Sequence, residues 1–385
     1  MRRPAAVLGL LLVLLTACHA PDRPAPQLLR PTWREVDLPL PIGLSGRLAL
    51  RDAAACAGRW FVVGAVLDPA GTPHPAAWSS VDGGAWVPLR PVPRSPYGAE
   101  NVLTAVGCRD DRPVAMGGRS GGVHGNPRIS AWRQDRDGSL VEVPAEFEVF
   151  GGPDAVNVGR IAGGPGGWLI SGNRATGAAA WVSPDGSEFR LISGVPGLAA
   201  DGAGRPWVAD GVAVGSGWLM VGSVLPSGRT GSDAAVWTSP NGSAWRRAVL
   251  PDSGVDEDLQ RVVRLGDRSV ALGRRGEGVG AWVEEGDAWR PADGPAVRGA
   301  DRPGRVWGLA ARGDGAFAVV TGPADGAGWF SPDGERWSPV ALPAAVPEGS
   351  DRSVAVAAAD DGAVLVVDDG GRARVWSARG SWRPV

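Results

Sequence analysis

The sequence predicts an all-β fold, a seven-bladed β-propeller of four-stranded antiparallel blades, and three observations lead there. The strings AAW, SAW, AAW, AVW, GAW, AGW and RVW place tryptophans at Trp78, Trp132, Trp181, Trp237, Trp282, Trp329 and Trp376. Their successive spacings of 54, 49, 56, 45, 47 and 47 residues match the repeat length of propeller blades. A turn rich in Ser, Pro, Asp and Gly follows the tryptophan in several repeats. Finally, 59 glycines and 34 prolines are interleaved with Val, Leu and Trp, as many short strands joined by tight turns require.

The elements follow in chain order. Arg2 and Arg3 precede an apolar run from Ala5 to Leu15, and Leu15, Thr16, Ala17 and Cys18 end it. This is the pattern of a secretory signal, too short for a permanent membrane span. The string LTAC resembles the lipobox of bacterial lipoproteins, which implies cleavage after residue 17, acylation of Cys18 and an exported protein held at the outer face of the cell membrane. An ordinary signal peptide with an incidental cysteine is the alternative. Residues 18–31 carry four prolines and no apolar periodicity, so they are expected to be a semi-rigid tether. Beyond it no apolar run approaches 18 residues, and residues 32–385 are assigned to the propeller.

Within each repeat four strand-sized pieces recur. A small apolar stretch (NVLTAVG at 101, RVWGLAA at 305) precedes a stronger run flanked by glycine (RWFVVGA at 59, GWLISG at 167, GWLMVGS at 217). The third piece carries the marker tryptophan, and the fourth opens on another aromatic, such as Trp86, Phe189, Trp245 or Trp337. Between third and fourth lie SVDGGAW, SPDGSEF, SPNGSAW and SPDGERW. Here Asp82, Asp185, Asn241 or Asp333 accepts backbone N–H bonds, and the glycine after it takes positive φ. The turn in repeat two is degenerate, and repeats five and seven have lost the aspartate. An additional fourth-strand sequence, TWREVDLP at 32, matches AWRRAVLP at 244 and is expected to help close the ring. The C-terminal SWRPV competes with it for the outermost place.

These turns resemble the Asp-box of sialidase-type (BNR-repeat) propellers, one residue shorter here. The resemblance implies that the four Asp or Asn side chains are structural. It also raises a glycoside hydrolase acting on surface or extracellular glycans, since that family uses an arginine triad, a Tyr/Glu pair and an acid/base Asp on a six-bladed ring. This chain departs from the pattern: it has seven repeats, no Arg-Ile-Pro string and one tyrosine. Arg47, Arg160, Arg205, Arg261, Arg305 and Arg352 lie near the first strands, but their registers differ from repeat to repeat. No catalytic set is therefore assigned, and a non-catalytic binding or scaffold module is the first expectation.

Cys56 and Cys108 occupy equivalent places after the first strands of adjacent repeats, and in an oxidising compartment a disulfide is expected. Two separate small residues are the alternative. The loops expected on the ligand-bearing face bring His74, Tyr97, Glu100, Asn101 and His124 to repeats one and two, where a polar ligand or a metal would find suitable donors. The alternative is a pair of solvated loop histidines. All 39 basic residues are arginine, yet net charge is −2, which gives no reason to expect nucleic acid. The partners expected are the membrane, through the lipid, and an envelope protein or glycan. No cofactor is called for, and the chain is expected to be a monomer.

Overall fold

A computed structural model describes residues 26–121, 126–297, 304–321, 327–347 and 349–382. Cys18, the signal segment and His124 lie outside the described residues. The chain forms seven antiparallel sheets around one axis. The first strands, nearest the axis, are Arg47–Cys56, Val102–Arg109, Ala155–Gly164, Arg205–Val214, Glu257–Leu265, Val306–Arg312 and Ser353–Ala359. Their small side chains follow from crowding at the axis: a Cβ on Gly308 would sit 2.5 Å from Val356 Cγ2 of the next blade.

The core is divided among the seams. Seven apolar clusters each join two neighbouring blades. The second strands are buried along their length, as in Gly167–Arg174, because both faces of every sheet meet another sheet. The five marker tryptophans from Trp78 to Trp282 are at most 2% exposed. Four of their indoles also tie down the loop that enters their own blade: Trp78 donates to Pro39 O, Trp132 to Asn101 Oδ1, Trp181 to Val149 O and Trp237 to Gly197 O.

The turns after the third strands share one geometry. Asp82 Oδ1 accepts from Gly84 N and Ala85 N at 2.9 and 2.8 Å. Asn241 and Asp333 do the same for the residues that follow them, and Asp185 Oδ1 accepts from Ser187 N and Ser187 Oγ. The turn glycines, such as Gly83 at φ 67° and Gly334 at φ 78°, occupy the left-handed region. The serine opening each turn is equally used: Ser80, Ser183, Ser239 and Ser331 accept at Oγ from those glycines.

The ring is closed by the N-terminal strand. Arg34–Val36 pairs antiparallel with Ala373–Arg379, with Arg34 opposite Ser377 and Val36 opposite Val375, and it is the outermost strand of blade seven. The competing C-terminal segment makes no strand within the described residues. Instead Trp382 is 3% exposed and packs edge-on to Phe317 and Phe330. Docking begins earlier than the expected tether boundary at residue 31. Leu29, 4% exposed, donates its N–H to Pro339 O and accepts from Ala341 N, because its side chain completes the core between blades six and seven. Blade two carries a fifth strand, Pro91–Val92, parallel to Leu140–Val143.

Candidate functional site

Cys56 and Cys108 are joined by a disulfide with a Cα separation of 6.1 Å. The bridge links the far ends of the first strands of blades one and two, on the face that carries the Asp and Asn turns.

The opposite face carries the loops expected to hold a ligand, and there the four described residues of the predicted set separate. His74 Nε2 lies 3.3 Å from Asp68 Oδ2, within its own loop. Glu100 is ion-paired with Arg119. Asn101 is fully buried: its Nδ2 donates to Tyr97 O, and its Oδ1 accepts from Ser130 Oγ at 3.0 Å and Trp132 Nε1 at 3.2 Å. Asn101 thus fastens its loop to the marker tryptophan and presents nothing to solvent. No group of three or more His, Cys, Asp or Glu suited to a metal ion is found among the described residues.

Of the four that are described, Tyr97 lines a pocket. This cavity of about 220 Å³ lies between the loop entering blade two (Ser95, Tyr97), the start of that blade's third strand (Arg128, Ser130), Glu142 on its fourth strand, and the loop leading to blade three (Phe147, Phe150). The Arg128 guanidinium sits 4.2 Å from the Phe147 ring centroid and 5.5 Å from that of Tyr97, an arrangement that favours a planar cation. Its buried Nε has no hydrogen-bond partner. The nearby carboxylate is engaged elsewhere: Glu142, 3% exposed, accepts from Arg94 N at 2.6 Å, Ser95 N at 2.8 Å and Ser95 Oγ at 2.7 Å. Gly98 makes this approach possible, since a Cβ there would fall 1.9 Å from Glu142 Oε2.

A second polar cluster lies on the axis. Six of the seven first strands carry a register shift at corresponding places, among them Leu50/Asp52, Val158/Ile161, Val208/Asp210 and Leu259/Arg261. The extra residue at such a bulge frees backbone N–H groups and re-aims side chains. Asp52 Oδ2 accepts from Val106 N of the next blade at 2.9 Å, and Asp210 Oδ2 from Val262 N at 3.2 Å. Arg160 spans the two carboxylates, with Nη2 3.1 Å from Asp52 Oδ1 and Nε 3.7 Å from Asp210 Oδ1.

Arg261 donates to the carbonyls of Gln260 and Trp307. Burial and the neighbouring Arg160 charge push its pKa down to about 10. Burial raises the Asp210 carboxyl against the opposing pull of Arg160 and Arg261, whereas the Asp52 charge holds Arg160 above the ordinary guanidinium range. Arg160 and Arg261 both lie at these bulges, near enough for the charge of one to act on the other. Asp52 and Asp210 escaped the sequence reading. The available signal was a lone acid in an otherwise small and apolar first strand, LALRDAAAC and WVADGVAV. With backbone N–H groups and an arginine on them, these carboxylates act as clasps between blades.

No protein-family model and no curated protein matches the sequence. Solved structures share its architecture at low identity. The chain is similar to the β-propeller domain of the Trilobed protease from Pyrococcus furiosus, with 10% identity, TM-score 0.53, and coverage of 88% of this chain and 98% of that one. It is similar to a puromycin hydrolase S511A mutant complexed with PGG, with 17% identity and TM-score 0.52, and here 89% of this chain spans only 55% of the other. A third likeness is to the phage phi92 endosialidase, with 9% identity, TM-score 0.50, and coverage of 93% and 70%. Identities this low establish the fold, a seven-bladed propeller, and leave function to the chain's own residues.

Proposed function

We propose that this protein is an exported, lipid-anchored propeller of the Asp-box type that binds a small polar ligand in a non-catalytic role. The observation that supports binding is the Tyr97/Arg128/Phe147 pocket, which sets an arginine without a hydrogen bond or ion pair between two rings on the loop-bearing face. The anchor rests on the LTAC string ending at Cys18. Two acyl signals hold a protein at a membrane durably, at about 0.8 kcal/mol per buried methylene. The Asp-box reading is supported by four turns in which the Ser and the Asp or Asn satisfy successive backbone N–H groups.

The hydrolase alternative draws on the Asp-box resemblance and on the hydrolases among the structural neighbours. Against it, Glu100 is engaged by Arg119 and the axial acids by neighbouring blades. Cell fractionation tests the anchor: Cys18→Ser is expected to leave the membrane fraction while remaining folded, and unchanged partition overturns the lipoprotein reading. Fluorogenic glycosides test the role. Turnover abolished by Tyr97→Phe and Glu100→Gln overturns the non-catalytic reading.

A further inference from the structure

We propose that the pocket beneath Tyr97 and Phe147 is a carboxylate-binding site for a small monocarboxylate that carries a hydroxyl or ammonium group. The inference deepens the binding role proposed above and rests on three features of the pocket.

The first is the state of Arg128. Nearby, Arg119 is paired with Glu100 and Arg90 with Asp137. Arg128 has none. Its guanidinium makes ring contacts only, and its Nε is buried and unpaired. Ring faces leave the edge of the guanidinium plane free, and that edge carries the fork of donors that binds a carboxylate in two parallel hydrogen bonds.

The second feature is the sign and number of charges. Glu142 lines the same cavity, so the pocket contains one cation and one anion. A dianion such as phosphate meets the Glu142 field, whereas a monocarboxylate that also offers a hydrogen-bond donor matches both ends. Glu142 uses three of its roughly four lone-pair sites on Arg94 N, Ser95 N and Ser95 Oγ, which leaves capacity for one more donor. Those three bonds also fix its position before any ligand arrives, which lowers the cost of binding.

The third is size. A cavity of about 220 Å³ has room for a ligand of the dimensions of glycerate or serine. Ile129, Pro144 and Ala145 give the remaining wall an apolar surface.

Calorimetric titration of the soluble propeller with D-glycerate, L-serine, glycerol and inorganic phosphate tests this. Binding of glycerate or serine is expected, with the better of the two telling a hydroxy acid from an amino acid, and glycerol and phosphate at least tenfold weaker. Arg128→Met keeps the stacked bulk without the charge and is expected to lower affinity at least tenfold. Arg128→Lys keeps the charge without the fork and is expected to fall between. Near-UV circular dichroism confirms that each variant is folded; should Arg128→Met not fold, the Arg128→Lys loss and the glycerol comparison still decide the matter. Binding of glycerol as tight as glycerate, phosphate tighter than both acids, no binding of either acid, or an unchanged affinity in the Arg128 variants overturns the proposal. None of these failures touches the proposed anchor or the proposed non-catalytic role, so the ligand class falls separately from the broader reading.

Discussion

Replacing Arg160 by methionine tests whether the axial charges hold the ring together. The guanidinium lies 3.1 Å from Asp52 Oδ1 and 3.7 Å from Asp210 Oδ1, and the two acids are 2% and 7% exposed. At an effective dielectric near 20 each pair at about 4 Å has a gross attraction of about 4 kcal/mol, and removing one partner of a buried pair typically costs about 3–5 kcal/mol. The backbone bonds from Val106, Gly211 and Val262 to the acids remain, so the lower end, about 3 kcal/mol, is expected. With an unfolding entropy of roughly 2 cal/mol/K per residue over roughly 350 residues, differential scanning calorimetry should show a Tm lower by about 4 °C. Burial already raises the Asp210 pKa, and loss of Arg160 removes one of the charges that oppose the rise. A carboxyl whose folded pKa is raised contributes stability below its unfolded value and loses it as pH rises through the folded one. The deficit of Arg160→Met is therefore largest at neutral pH and narrows on acidification. In an Asp52→Asn background the same substitution should cost less by more than about 1 kcal/mol, since the two groups are in contact. An unchanged Tm, or strictly additive losses, refutes the clasp.

Three further outcomes follow from the fold. The native protein should titrate no free thiol at Cys56 or Cys108, and Cys56→Ser with Cys108→Ser should lower stability by roughly 4 kcal/mol, the chain-entropy value for a separation of 52 residues; two reactive thiols in the denatured, unreduced protein would sink the bridge. Trp33→Ala, which strips a side chain packed 5.7 Å from Trp382 and bonded to Ala341 O, should loosen the closing strand and cost about 3 kcal/mol, read as faster hydrogen exchange along Ala373–Arg379. Backbone N–H bonds lower Asp82, side-chain and backbone bonds from Ser187 lower Asp185, and at Asp333 burial is outweighed by bonds from Arg336 and Glu335. Their stabilisation is present above the ordinary carboxyl pKa of about 4 and is lost as pH falls through the lowered values, so an Asp82→Asn, Asp185→Asn, Asp333→Asn variant should show a flatter acid limb of Tm against pH.

The architecture was legible because each blade repeats the same local physics. A turn aspartate, its glycine and the following aromatic are adjacent in sequence, and so is the alternation that buries Trp181 or Trp237. Closure was legible because Arg34–Val36 resembles the outer strand Arg246–Val249. The site was legible only in part. Tyr97, one of the expected ligand-binding residues, lines the pocket, whereas Asn101, expected beside it, has its amide oxygen taken by Ser130 and the marker Trp132. Arg128 could not be singled out, because what distinguishes it from Arg119 is the partner it lacks, a property of side-chain packing and not of composition. Asp52, Arg160 and Asp210 come from blades one, three and four, and their meeting depends on bulges that shift the register by a residue, which a repeat alignment treats as noise.

The place of the pocket in the ring follows from the distribution of these clasps. At five seams a side-chain oxygen of one blade accepts an inner-strand N–H of the next: Asp368 from Leu50, Asp52 from Val106, Asn173 from Val208, Asp210 from Val262 and Gln260 from Val306. Among the described residues the seams between blades six and seven and between blades two and three have no such bond. The first is secured by Arg312, which donates to the carbonyls of Asp361 and Gly380 and lies 4.6 Å from the Trp382 ring. The second is the seam beside the pocket. Its two walls are fastened to different blades: Ser95 and Glu142 to blade two, and the loop of Phe147 and Phe150 to blade three through Trp181 Nε1 to Val149 O and Arg174 Nη1 to Gly151 O. Arg128 and Glu142 both belong to blade two, so a ligand held between them would meet blade three through the loop of Phe147 and Phe150, beside a seam that Arg109 Nη1 also crosses to Pro184 O. Occupancy then stabilises the ring as well as filling a cavity, by RT ln(1 + [L]/Kd), about 2.7 kcal/mol at a hundredfold excess over Kd. That coupling makes the ring's own melting temperature a reporter of the bound state.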